Sequence, residues 1–446
     1  MNFVFPENLY TEVRIEDTFT SYYYLKNDKV EENGETNVIG AKIRVFDGKM
    51  WYTSVTNDLN SIQNEIDSLS LVASQNKNIQ KNKIVKNLGC SKAKVLKFQD
   101  EKSVRNITVE QKADICMNYK KICTDKSVKE IQMTHVSFYA YSLIKEFYSS
   151  KGAEIIQDYQ RCYFYFGHEM NLNGGNFYPG KQLFGFYFDE LFNKQDDIIK
   201  EVQKGIDFAR NAKPVIPGDY ECVLAPSVTS IFTHESFGHK SEADFMLNDK
   251  VLQQEWVMGK KVGNEKVTIV DEGDSLLHGY CPYDDEGNKK EKVFLMTNGI
   301  LTGRLHDAKS SSVLNEKPTG NARAQNFYKN PMVRMTNTYI ENGSDNPEKI
   351  IEEVKNGLYI YDCNYGTGNS TFTIQPNKCY VIRDGKISEP VLVNVITGSV
   401  FQTLFDIDAV GNDLEFFSGT CGKKNSQSVR VAMGGPTIRV KKLTIN

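Results

Sequence analysis

The chain of 446 residues carries a net charge of −3, with 40% hydrophobic and 25% charged residues, the balance of an ordinary globular protein long enough for two domains. No segment concentrates Lys and Arg among aromatics, so a nucleic-acid partner would lack the electrostatic attraction that supplies most such affinity, and none is expected. No window approaches ~18 consecutive apolar residues, so no membrane span is expected either.

The 25 Phe and 23 Tyr, set among Val, Ile and Thr, favour many strands. Nine cysteines without CxxC pairs, behind a start that lacks a basic and then apolar secretory pattern, point to reduced thiols and a cytoplasmic location.

In chain order, residues 9–24, 37–46 and 49–55 read as strands, with hairpin turns expected at Asn33-Gly34 and Asp47-Gly48. A helix follows from about Leu59, with Ile62, Ile66 and Leu69 on one side. Residues 76–105 are polar and read as a surface loop with one strand at 94–98. Thr108 and Gln111 fit a capping box opening a helix to about Cys123. Strands are expected at 130–148 and 154–166. A helix follows at 189–212, stopped by Pro214 and Pro217, where the domain boundary is placed. The fold class expected is α+β: an α/β domain over 1–213, then a strand-dominated domain over 214–446.

In the second half, a strand at 220–224 precedes a helix capped by Ser227. Hairpins are expected at Asn298-Gly299 and Asp384-Gly385, and a helix at 346–358. The run Asn288–Lys292 reads as a solvated turn. Asp284-Asp285-Glu286-Gly287 lacks the spaced oxygen ligands of a calcium loop and reads as an acidic turn.

The residues that carry chemistry are Thr233-His234-Glu235-Ser236-Phe237-Gly238-His239, an H-E-x-x-x-H motif. Two imidazoles are neutral ligands for a hydrolytic metal, and a carboxylate beside them takes a proton from water. The spacing i, i+5 puts the histidines roughly 140° apart on a regular helix, too far to meet one ion. A π-bulge winding about 4.4 residues per turn restores a common face, so a distorted turn is predicted at 235–239, with the backbone loosening at Gly238. The open third-ligand position has several claimants: the four other histidines, Glu242, Asp244, and Cys421 between Gly419 and Gly422. A thiolate suits zinc, and a glycine-rich loop leaves room to present it, but spacing does not select Cys421 over the other eight cysteines.

His234-Glu235-x-x-x-His239 with Glu242 and Asp244-Phe245, Pro318-Thr319-Gly320-Asn321, Arg334 through Tyr339, Val410-Gly411-Asn412-Asp413-Leu414, Cys421-Gly422-Lys423 and Gly435-Pro436-Thr437 together resemble the TldD/PmbA family of metalloproteases. The resemblance spans about 214–446. It implies a zinc site of His234, His239 and Cys421, with Glu235 as catalyst. It also implies a homodimer, or a heterodimer with a related subunit, enclosing a cavity and acting on small peptides or unfolded protein. The family has a metal-binding type and a partner type that has lost the ligands. This chain keeps all four residues and is similar to the former. It departs from the family in lacking a helix before the first strand, and in a one-residue longer stretch from Cys421 to Gln427.

His168-Glu169, ahead of Asn173-Gly174-Gly175, reads as a decoy on a hairpin tip. His135, His278 and His306 read as core or surface histidines. Gly366-Thr367-Gly368 reads as shaping a strand edge. Arg334, Asn337 and Tyr339 either line a substrate groove or pair strands. Two other functions fit the motifs: a His₂Cys copper electron-transfer site, and a non-catalytic subunit that captures extended peptides by strand addition.

Overall fold

Alternating side chains on four long strands organise the first half of the chain. In the computed structural model, which describes residues 2–125, 127–172, 175–368, 370–423 and 427–446, Tyr10–Lys26, Lys29–Phe46, Ile131–Ser149 and Glu154–Leu172 lie antiparallel at the centre of an eight-stranded sheet. One face carries Val136, Phe138, Ala140, Cys162, Phe164 and Phe166. It is closed by the helices Val109–Cys123 and Gln195–Asn211, which bury Ile115, Tyr119, Ile198, Val202 and Ile206 against it. The other face, bearing Tyr141, Lys145, Tyr159 and Arg161, turns toward the second half.

The second half holds a second eight-stranded sheet and a six-stranded sheet. They share one apolar core: Leu224, Ile360, Phe372 and Val440 come from the first, and Ile269, Leu295, Ile340 and Val431 from the second. Between them sit Val228, Phe232 and Phe237 of the motif helix. With 44% strand and 25% helix, the chain is α+β with a strand-rich second half, as expected. Lys213–Pro214 forms an edge strand beside Val391 and Leu392, so the chain joins the second eight-stranded sheet there.

Several local expectations hold. Thr108 and Gln111 form both halves of their capping box. The turns at Asn298-Gly299 and Asp384-Gly385 have positive φ at both residues, and Gly48 has φ 99°. Asp47 tightens its turn by accepting from the backbone N–H of Lys49 and Met50.

Others are corrected. The first hairpin turns at Asn27 (φ 52°) rather than Asn33-Gly34. Asn33 and Gly34 lie inside the strand opposite Tyr23 and Tyr22, and Gly34 makes room for the Tyr22 ring, so the glycine serves a side-chain contact. The polar stretch 76–105 includes a helix, Lys83–Asn87, capped by Asn82, and its strand is Lys92–Val95. The expected 189–212 helix starts at Gln195, after a separate 3₁₀ turn at Phe188–Leu191. The 346–358 segment is helical only over Pro347–Glu352, because Asn356 opens a strand whose pairing outweighs helix propensity.

In the run 288–292, read as a solvated turn, Lys289, Glu291 and Lys292 are exposed but Lys290 is buried, and the acidic turn at 284–286 is buried as well. Lys290 pairs with Asp271 at 3.1 Å, both fully enclosed. Asp285 pairs with Lys145 at 2.5 Å and Arg14 at 3.6 Å, tying the acidic turn to the first sheet. Lys290 finds its partner within the second half and Asp285 finds its partners in the first, and each pairing offsets the cost of desolvation.

His168 lies within the strand Glu154–Leu172, buried, and not on a hairpin tip; its Nδ1 sits 3.0 Å from the Thr134 hydroxyl. Burial, with His135 nearby, pushes its pKa down to about 4. Asn173 and Gly174 lie outside the described residues.

Candidate metal centre

The helix Pro226–Phe232 begins with Pro226 at its first position and Ala225 as cap. Ser227 instead donates its hydroxyl to the Tyr361 carbonyl at 2.9 Å. Proline needs no N–H partner at a first turn, so a side-chain cap is dispensable there.

From Thr233 to Gly238 the helix becomes a π turn, and the N–H of His239 bonds the carbonyl of His234. Thr233 and Ser236 donate their hydroxyls to the carbonyls of Thr229 and Phe232, four residues back, contacts that loosen the regular ladder. Gly238 itself keeps ordinary helical angles, φ −57° and ψ −53°. Its role differs from the expected one: a Cβ there would meet the Met335 sulfur at 2.1 Å. On the other side, a Cβ at Gly368 would lie 2.5 Å from the Glu235 carbonyl. The Gly366-Thr367-Gly368 segment therefore lies against the motif turn.

The widened turn brings His234 and His239 together with Cys421, and the ligand atoms of the three lie within 4.8 Å of one another. Cys421 Sγ is 3.4 Å from His239 Nε2. His234 and Cys421 are only 1% and 2% exposed, and Nδ1 of His234 has no hydrogen-bond partner. Two imidazoles and a thiol, buried and converging with an unpartnered ring nitrogen, are a donor set suited to a soft or borderline divalent metal.

Burial alone would raise the Cys421 thiol, but His234 and His239 hold it well below its usual range. Burial alone would lower His239, yet Glu242 and Cys421 hold it well above. Both shifts favour the charged forms, and the thiolate is the ligating form of cysteine.

Glu235 is 3.9 Å from His239 Nε2 with a side chain 24% exposed, so it stands beside the donor set, half-buried. Burial raises its pKa, which makes the carboxylate a better proton acceptor.

Of the rival third ligands, Glu242 lies behind the site. It is fully buried and accepts from His239 Nδ1 at 3.1 Å and from Lys423 at 3.0 Å. Burial opposes its ionisation, but Lys423 and His239 bring its pKa down to about 2. Asp244 pairs with Lys423 at 2.7 Å; burial pushes it up to about 6. His135, His168, His278 and His306 bond elsewhere: to Tyr24, Thr134, Tyr163, and Ser310 with Glu316.

Sequence reading missed what holds Cys421. Arg334, fully buried, donates to the carbonyls of Cys421 and Gln427. Buried, it grips the strand of Cys421, while Asn337 accepts from the Gly279 N–H at 3.0 Å and Tyr339 pairs with Val270. Asn321 accepts the Arg334 N–H through its backbone carbonyl and donates its amide to the Arg334 carbonyl at 2.9 Å and to Asp271 at 3.0 Å. Thr336 and Thr338 donate to the same Asp271. The separated blocks at 318–321 and 334–339 thus meet on one buried carboxylate; a polar residue recurring in both was the available signal. Residues 424–426, which include the lengthened stretch after Cys421, lie outside the described residues.

The family model described as "PmbA/TldA metallopeptidase C-terminal domain" matches residues 217–446, and "PmbA/TldA metallopeptidase domain 1" matches 11–75. The chain belongs to the TldD/PmbA metallopeptidase family. It is 29% identical to a metalloprotease of Methanocaldococcus jannaschii, over 96% of this chain and 95% of that one. It is 32% identical to the zinc metalloprotease TldD homolog of Saccharolobus solfataricus, over 76% and 79%. Its fold is shared with TldE from Thermococcus kodakarensis, with a TM-score of 0.72 at 15% identity, covering 98% of this chain and 96% of that one. No helix among the described residues of this TldD/PmbA member is long and apolar enough to cross a membrane.

Proposed function

We propose that the protein is a zinc peptidase acting on small peptides or unfolded chains, with His234, His239 and Cys421 as ligands and Glu235 as general base. The observation that carries this reading is the π turn, which lets histidines five residues apart converge with a thiol from a distant strand. Zinc on such a set supplies Lewis acidity, making water nucleophilic near neutral pH and polarising a peptide carbonyl.

The chain's own residues supply the rest. Glu242 holds His239 by Nδ1, so Nε2 faces the site. Glu235 takes a proton from the attacking water and returns it to the leaving amine. The chemistry belongs to the 214–446 domain, which carries all three donors and Glu235. The protein works as a dimer, of two copies or with a related subunit, in the cytoplasm. Nine unpaired cysteines accord with a reducing compartment.

The test combines elemental analysis with peptide hydrolysis. The parent should carry about one zinc per chain, as a catalytic three-ligand site requires, and should cleave unstructured peptides. Glu235→Gln should keep the zinc and lose cleavage. A Glu235→Gln protein that cleaves normally removes Glu235 as base, and a parent that binds peptides at full zinc occupancy without cleaving them is a capture subunit instead.

A further inference from the structure

A charged cavity of about 300 Å³ lies between the first sheet and the strand Gln427–Gly435. Its walls include Arg161 from the first half and Arg323 and Arg430 from the second. Cys421 and Thr420 are neighbours on one strand, so their side chains leave it on opposite faces. Thr420 and Arg430 are direct cross-strand partners on the cavity face, away from the metal donors.

The three guanidinium groups are bonded to neutral acceptors. Arg161 donates to the His278 carbonyl at 3.3 Å, Arg323 to the carbonyls of Met335 and Arg430, and Arg430 to the Thr420 hydroxyl at 2.5 Å. Among the described residues no carboxylate pairs with any of them. Asp285 is on the wall, but Lys145 and Arg14 engage it. Arg161 is only 7% exposed, and its Nε has no partner.

Unpaired buried guanidinium is costly, and a fork of N–H donors matches the oxygens of a carboxylate or phosphate. The Arg161 guanidinium lies over the Tyr141 ring at 5.4 Å, and that of Arg430 over the Tyr163 ring at 5.7 Å. Burial pushes Arg161 down to about 10, with the neighbouring Arg430 and Arg323 charges adding to the effect. The cavity thus combines surplus positive charge, unused donors and volume at the lower limit for a small organic ligand.

We propose that this interdomain cavity binds a small oxyanion, a carboxylate or a phosphate, between Arg161, Arg323 and Arg430. The anion would come either from a free phosphorylated compound or from the C-terminal carboxylate of a peptide. Either would neutralise the cluster and join the two halves.

The test is calorimetric titration of the full chain with inorganic phosphate, N-acetylalanine and N-acetylalaninamide. At least one anion should bind and the amide should not. Arg161→Gln and Arg430→Gln should each weaken that binding at least tenfold, the loss of a charged hydrogen bond. Tighter phosphate binding identifies a phosphorylated ligand, and tighter N-acetylalanine binding identifies a peptide terminus. In anion-free buffer Arg161→Gln should not lower the melting midpoint, since it removes an uncompensated charge. Equal binding of the amide, anion affinity unchanged in both variants, or a midpoint lowered in both variants without loss of binding would overturn the proposal.

Discussion

The N–H of His239 bonds the carbonyl of His234, five residues back, and this one bond is what turns an unworkable ligand spacing into a common face. Its neighbours hold it in place. Met335 fills the space left by the missing Cβ of Gly238, and the Glu235 carbonyl lies against Gly368.

Gly238→Ala is therefore expected to disturb the centre without touching a ligand. The added methyl must displace the Met335 sulfur, at a cost of about 1–3 kcal/mol for an overpacked core. Melting should fall, and metal content should fall with it. Pairing the change with Met335→Ala should restore part of both, and full metal retention in Gly238→Ala alone would show that the turn tolerates the shift.

Glu242→Gln should weaken metal binding by about 10–100-fold, the usual consequence of losing a carboxylate behind a ligating histidine. Chelator competition measures this. The fold should survive, because Lys423 keeps its contacts with Asp244 and the Val333 carbonyl.

Arg334→Met removes the donors that hold the carbonyls of Cys421 and Gln427. Each buried carbonyl left unpaired costs about 1–3 kcal/mol. Urea unfolding should show the loss, and the metal should dissociate faster as the Cys421 strand loosens. An unchanged urea midpoint would mean that another group takes over both carbonyls.

Acid sensitivity should reside partly in His168. Its folded pKa, about 4, lies below the unfolded value of ~6.5, so the folded state favours the neutral ring. The stabilisation is complete above the unfolded value and is lost as pH falls from about 6.5 to 4, roughly 3 kcal/mol in all. Urea midpoints at pH 7.5 and pH 4.5 should differ less in His168→Gln than in the parent.

Periodicity and turn chemistry are local, so the strand-rich α+β class, the capping box at Thr108, the turns at Asn298-Gly299 and Asp384-Gly385, and the need for a π turn between His234 and His239 were all legible in the residues alone. The family resemblance added Cys421, which no spacing rule could select. Tertiary structure alone decided which charges are buried, since Lys290 and Asp285 look solvated until Asp271 and Lys145 close on them from distant segments. It also decided that Asn33-Gly34 stays within a strand and that Gly238 serves Met335. Above all it decided that Arg334 grips the strand of Cys421, 87 residues away. Such contacts depend on burial and on partners far apart in the chain, and local pattern carries no record of either.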